Sequence, residues 1–134
     1  MKVSENDSVL IESAINALQN SYSPYSKFRV GAAVRSKSGN IFTGCNVENA
    51  SYGLTICAER TALGNMVSEG ETEVEAIAVV SDAGSIITPC GACRQFLREF
   101  ANDDCRIICA SGDDVEVYSL NELLPESFKP SDLK

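Results

Sequence analysis

The chain has 134 residues, 44% of them hydrophobic and 22% charged, with six cysteines, no histidine and a net charge of −8. That size and balance point to one soluble globular domain over residues 1–134, able to bury a core without disulfide support. The missing histidine excludes Ser-His-Asp hydrolysis, Cys-His proteolysis and His-ligated metals, and the acidity without any basic run argues against a nucleic-acid partner.

No apolar run reaches membrane-spanning length, and the opening Met1-Lys2-Val3-Ser4-Glu5-Asn6-Asp7 is too polar for a secretory signal. The expected location is the cytoplasm, with no membrane partner. In that reducing compartment six cysteines read as thiols or metal ligands before disulfides.

Asp7 to about Tyr22 sets Ile11, Ile15, Leu18 and Tyr22 at steps of four, three and four, which predicts an amphipathic helix capped by Asp7 or Ser8. Ser23-Pro24-Tyr25-Ser26 breaks it. Phe28–Val34 and Ile41–Val47 read as paired strands around a Ser38-Gly39-Asn40 turn. The small residues Gly31 and Ala32 indicate that a helix or a ligand comes close to the first strand.

Asn46-Val47-Glu48-Asn49 leaves the second strand with three polar side chains. One reading is a solvated strand exit. The other is a hydroxyl-binding rim, because Asn46 and Glu48 lie two apart and share a face if the strand persists.

Cys57 to about Ser68 predicts a helix packing on Ala58, Ala62, Leu63 and Met66. Val74–Val80 is almost continuously apolar, as in a central strand buried on both sides. Gly91–Phe100 predicts a helix entered through Pro89-Cys90, with Phe96, Leu97 and Phe100 inward. Arg106–Ala110 and Val115–Tyr118 are the last strands, followed by a short helix at Leu120–Leu124 that Pro125 stops. Alternating strands and helices give an α/β class, with about five strands in one sheet and helices on both faces.

Chemistry concentrates in Cys57-Ala58-Glu59-Arg60 and Pro89-Cys90-Gly91-Ala92-Cys93-Arg94. Cys57, Cys90 and Cys93 can give three thiolates to one ion, which leaves a tetrahedral zinc one open position for water. A closed four-cysteine site using Cys105 and Cys109 is the alternative, but residues four apart on a strand are separated by about 13 Å, too far for two zinc–sulfur bonds of about 2.3 Å. Cys45, Cys105 and Cys109 are therefore expected as small buried apolar residues.

Cys57 and Cys90 each stand where a helix begins, so backbone N–H groups and the helix dipole favour their thiolates. Three thiolates around Zn²⁺ leave an excess negative charge, which Arg60 or Arg94, each adjacent to a ligand, can offset. Glu59 is the expected proton carrier, since no histidine is present to serve. Taken alone it is a favourable charge in a first helical turn, and residues two apart on a helix do not share a face. Cys57 must then lie at the very start of its helix.

The C-x-E and P-C-x-x-C motifs follow the three-cysteine pattern of zinc-dependent nucleobase deaminases. Together with Ser23–Phe28, Val30–Ala33, Gly44–Ala50 and Glu122–Pro125, they make the chain resemble the small cytidine deaminases over nearly its whole length. That resemblance implies a three-layer α/β/α sandwich with a mixed sheet and one Zn²⁺ per chain. It also implies hydrolysis of cytidine and 2′-deoxycytidine to the uridines with loss of ammonia, serving pyrimidine salvage. By the same resemblance, Asn46 and Glu48 hold the ribose, Phe28 lines the base pocket, and Arg60 hydrogen-bonds to the ligand sulfurs. Tyr52 and Phe128 help complete active sites across the subunit boundaries of a homotetramer. Without the resemblance these three aromatics default to core or interface packing.

The nearest rival is a deaminase of another aminopyrimidine nucleoside, such as blasticidin S, whose enzymes share the zinc motifs. A zinc-stabilised binding module is the rival from another class; it needs a fourth protein ligand and has no use for Glu59.

Overall fold

In the computed structural model, which describes residues 2–133, five strands form one mixed sheet in the order β2-β1-β3-β4-β5. The strands are β1 (Val30–Ser36), β2 (Ile41–Cys45), β3 (Val74–Ser81), β4 (Arg106–Ser111) and β5 (Asp114–Ser119). The α-helices are α1 (Glu5–Leu18), α2 (Ala58–Ser68), α3 (Gly91–Arg98) and α4 (Leu120–Leu123). Only β3 and β4 run parallel, and α3 lies in the connection between them, as a parallel pair requires a crossover. The remaining neighbours are antiparallel.

Strand side chains alternate between two cores. On one face Ala33, Ala76, Ala78, Val80, Ile108 and Ala110 pack against Leu10, Ala14 and Leu18 of α1. On the other, Ala32, Val34, Ile77, Val79, Ile107 and Cys109 pack against Ala58, Ala62, Leu63 and Met66 of α2 and Leu97 of α3. Burial of β3 on both faces is the expected pattern of a central strand, and the α2 packing face is the one its sequence spacing indicates.

Two glycines allow the helices to lie close. A Cβ on Gly31 would sit 2.1 Å from the Ala14 carbonyl oxygen, so the element close to β1 is α1. A Cβ on Gly44 would sit 2.4 Å from the Ala62 backbone nitrogen of α2. Neither position tolerates a side chain without moving a helix backbone.

Several boundaries and faces differ from the sequence reading. Helix α1 begins earlier than Asp7 and ends at Leu18. Its N-cap is Ser4, whose hydroxyl accepts the Asp7 N–H while the Asp7 carboxylate accepts the Ser4 N–H, a reciprocal capping box. Asp7 is drawn inward because Arg106 of β4 donates to its carboxylate at 2.6 Å, and that rotates the buried face to Asp7, Leu10, Ala14 and Leu18. Ile15 is consequently exposed and Ile11 half-buried, while Tyr22, beyond the end of the helix, is exposed where it bridges to Val47. In α3, Leu97 is buried but Phe96 is exposed and stacks at 6.0 Å with half-buried Phe100. Strand β1 starts at Val30 rather than Phe28, and β2 ends at Cys45 rather than Val47.

Candidate active site and metal centre

Cys57 and Cys90 are the N-caps of α2 and α3, both in extended backbone, and Cys93 lies one turn into α3. The three sulfurs lie within 4.8 Å of one another. Three thiolates on a tetrahedral zinc with bonds of about 2.3 Å would stand about 3.8 Å apart, so this donor set fits Zn²⁺ with small adjustment. No other cysteine joins the cluster among the described residues. Cys105 and Cys109 are buried in the sheet, where burial foremost pushes their thiols up to about 12 and leaves them inert. Cys45 is only half-buried, with its thiol directed to the Asn20 carbonyl.

Charge at the cluster favours one thiolate, on Cys57. The Cys93 hydrogen bond, followed by the Arg60 guanidinium, brings the Cys57 thiol down to about 5 against the opposing effect of burial. Cys93, hydrogen-bonded to that thiolate and buried, is held well above the ordinary thiol value. Zinc binding therefore displaces protons from the cluster.

Arg60 projects from the first turn of α2, and its Nη2 donates to the Cys57 sulfur at 3.6 Å and to the Thr55 carbonyl at 3.4 Å. Arg94 takes a different path. Its Nε, Nη1 and Nη2 donate to the Pro89 carbonyl, the Leu123 carbonyl and the Thr88 hydroxyl at 2.7, 2.7 and 2.9 Å. Of the two arginines beside ligands, only Arg60 has a sulfur among the hydrogen bonds found.

Because Cys57 is a cap outside the helix, Glu59 is the second residue of α2, and the two need not share a helical face. Glu59 is 5% exposed. Burial foremost, with the Cys57 thiolate adding to it, raises its carboxyl above the usual range.

A cavity of about 330 Å³ opens onto the cluster, lined by Cys57, Cys90 and Glu59 together with Phe28, Asn46 and Glu48. Although β2 has ended, Val47 bridges to Tyr22 and Ile56, which keeps the chain extended and lets Asn46 and Glu48 face one space. The buried Asn46 amide donates to the Phe28 carbonyl at 2.8 Å and accepts the Val30 N–H at 3.0 Å. Glu48 accepts the backbone N–H groups of Tyr25 and Ser26 at 3.0 and 3.1 Å, and also the Ser26 hydroxyl.

Sequence reasoning missed Ser26, Thr55, Ile87 and Thr88 on the cavity wall. Ser26 lies within the Ser23–Phe28 stretch that carries the resemblance, whereas nothing in the local pattern marks the other three. Tyr52 and Phe128 do not line this cavity; both are exposed on the surface of the chain. Tyr52 packs edge-on to Tyr25 at 6.0 Å beside an adjoining hollow that shares Ser26, Glu48 and Thr55 with the cavity. The Phe128 carbonyl accepts from Gln95 of α3 at 2.9 Å.

Residues 4–109 match the family described as cytidine and deoxycytidylate deaminase zinc-binding region. The chain is 47% identical to a cytidine deaminase of Halalkalibacterium halodurans, over 93% of this chain and 96% of that one. It is 50% identical to a probable cytidine deaminase of Dictyostelium discoideum, over 92% and 84% respectively. A crystal structure of cytidine deaminase from Burkholderia pseudomallei superposes with a TM-score of 0.87 at 44% identity, covering 94% of this chain and all of that one. The matched region includes all three cysteines, Glu59 and Arg60, and with it the chain belongs to the cytidine and deoxycytidylate deaminase family of zinc enzymes.

Proposed function

We propose that this enzyme hydrolyses the exocyclic amine of cytidine and 2′-deoxycytidine, giving the uridines and ammonia. The observation that carries the reading is a buried glutamate sharing one cavity with an open three-thiolate cluster. When bound, zinc supplies a Lewis acid and a low-pKa water for attack on the pyrimidine C4.

The chain's residues do the rest. Glu59, its carboxyl raised by burial, accepts a proton from the attacking water, delivers it to N3 of the base and assists departure of ammonia from C4. Arg60 offsets thiolate charge through the Cys57 sulfur. Phe28 gives the base an apolar wall. Asn46 has one amide hydrogen beyond its bond to Phe28, and Glu48 has carboxylate lone pairs to spare, so both suit ribose hydroxyls.

One Zn²⁺ per chain and residues 1–134 as one domain accord with a single cluster and with two cores divided by one sheet. We assign the enzyme to pyrimidine salvage in the cytoplasm, where thiolate ligands stay reduced. No described helix is long and apolar enough to cross a membrane. A homotetramer with shared active sites is supported by the exposure of Tyr52 at 75% and Phe128 at 58%, since aromatic residues are enriched in subunit interfaces. Blasticidin S is disfavoured as substrate by the names the relatives carry.

The test is ultraviolet absorbance of cytidine mixed with zinc-quantified protein, alongside blasticidin S. Conversion of cytidine to uridine that disappears on removing zinc or Glu59 is expected; turnover of blasticidin S alone would overturn the pocket assignment.

A further inference from the structure

The segment between β3 and α3 carries Ile87 and Thr88 into the cavity wall and ends on the ligand Cys90. Among the described residues, no backbone N–H from 83 to 89 donates to another backbone carbonyl. Side chains hold the segment instead: Ile86 and Ile87 pack against the core, the Ser81 hydroxyl donates to the Ser85 carbonyl at 3.4 Å, and Arg94, from the first turn of α3, holds the end next to Cys90. Its guanidinium uses all three nitrogens, holding the Thr88 hydroxyl and the Pro89 carbonyl, the two residues before Cys90, and the Leu123 carbonyl at the end of α4. The next residue, Gln95, holds the Phe128 carbonyl.

We infer that Arg94 is a positioning residue: its planar fork fixes Thr88-Pro89, and through them the Cys90 thiolate and the cavity wall, against the C-terminal segment. The proposal extends the zinc and nucleoside reading above. Each of the three guanidinium nitrogens of Arg94 holds a different residue, a spread that suits a planar fork and not a compact ammonium. Arg94 thus acts by geometry, whereas Arg60 acts on sulfur directly. Truncating Arg94 leaves the Pro89 and Leu123 carbonyls without this donor and frees the strand-to-helix segment to drift from the cluster.

The experiment compares wild type, Arg94→Ala, Arg94→Lys and Thr88→Val, each loaded with zinc. Release of zinc to a chromophoric chelator is followed well below each melting temperature, and kcat and KM for cytidine are measured in parallel. Zinc should leave Arg94→Ala about tenfold faster, the scale expected when a residue that orients a ligand is removed. Arg94→Lys should not restore retention, and Thr88→Val should fall between it and wild type. KM should rise in all three, since the wall moves with the ligand. A lower melting temperature with unchanged zinc release would make Arg94 merely structural and overturn the proposal. Full rescue by lysine would show that charge alone suffices, and would also overturn it. Should Arg94→Ala fail to fold, wild-type zinc release from both Arg94→Lys and Thr88→Val would decide against it. Zinc release needs no substrate, so this outcome is separate from whether cytidine is turned over.

Discussion

Asn46 closes the start of β1 onto the exit of β2 by donating its side-chain amide to the Phe28 carbonyl at 2.8 Å. The same side chain accepts the Val30 N–H, so one buried amide satisfies the backbone on both sides of Arg29. The residue proposed to meet the ribose is thus also the one that holds the backbone of Phe28 on the cavity wall.

Asn46→Ala should therefore lower stability by about 2–3 kcal/mol, because it strands a buried donor and a carbonyl. It should also raise KM for cytidine. Urea unfolding and steady-state kinetics on one preparation check both effects; a KM change with stability untouched would mean that its backbone bonds are dispensable.

Glu59→Gln keeps the volume of the side chain while removing its capacity to carry a proton. Turnover should fall by roughly 100- to 10,000-fold, the range for a lost general acid–base. Zinc content and melting temperature should stay close to wild type, since the buried carboxyl lies at a site where burial already penalises its charge. Stopped activity assays with metal analysis make the comparison. Near-normal turnover would remove Glu59 from the reaction.

The two close-approach glycines separate fold from site. Gly31→Ala drives a methyl into the Ala14 carbonyl of α1, and Gly44→Ala drives one into the Ala62 nitrogen of α2. Each should cost about 2–3 kcal/mol of stability. Only Gly44→Ala should weaken zinc retention, because α2 carries Cys57 at its cap and α1 carries no ligand. Denaturation and chelator assays on both variants give the contrast.

Asp7 gives a pH signature. Burial alone would raise its carboxyl, but the hydrogen bonds and charge of Arg106, with those of Ser4, outweigh it and bring the group below its ordinary value of 3.8. A depressed acid contributes stability that is present above its unfolded value and lost as pH falls through the folded one. Asp7→Asn should cost about 2 kcal/mol near neutrality, the scale of a charged hydrogen bond. The gap between variant and wild type should then narrow as pH falls below 3.8. Denaturant midpoints for both proteins at neutral and acid pH measure this; a gap independent of pH would assign the effect to packing.

The sequence alone singled out Cys57, Cys90, Cys93 and Glu59, which the fold brings together at one cluster and cavity, because such chemistry is written in residue type and short spacing. It also determined the α/β class and the faces of α2 and β3, where apolar periodicity is strong and nothing polar competes with it. Helix α1 went the other way. A local pattern chose Ile11, Ile15, Leu18 and Tyr22; Leu18 is buried and Ile11 packs at the core margin, yet Arg106, ninety-nine residues away, drew Asp7 into the core and left Ile15 outside. Spacing alone left Arg60 and Arg94 open and only the resemblance pointed to Arg60; in the structure Thr88, Pro89 and Leu123 occupy Arg94 while Arg60 meets a sulfur. Ile87, Thr88 and Thr55 reach the cavity through loop paths that carry no periodicity. Spacing reports what lies within a few residues on one element, whereas partners that meet across the sheet are decided by tertiary packing, which is why the chemistry was legible and the shape of its pocket was not.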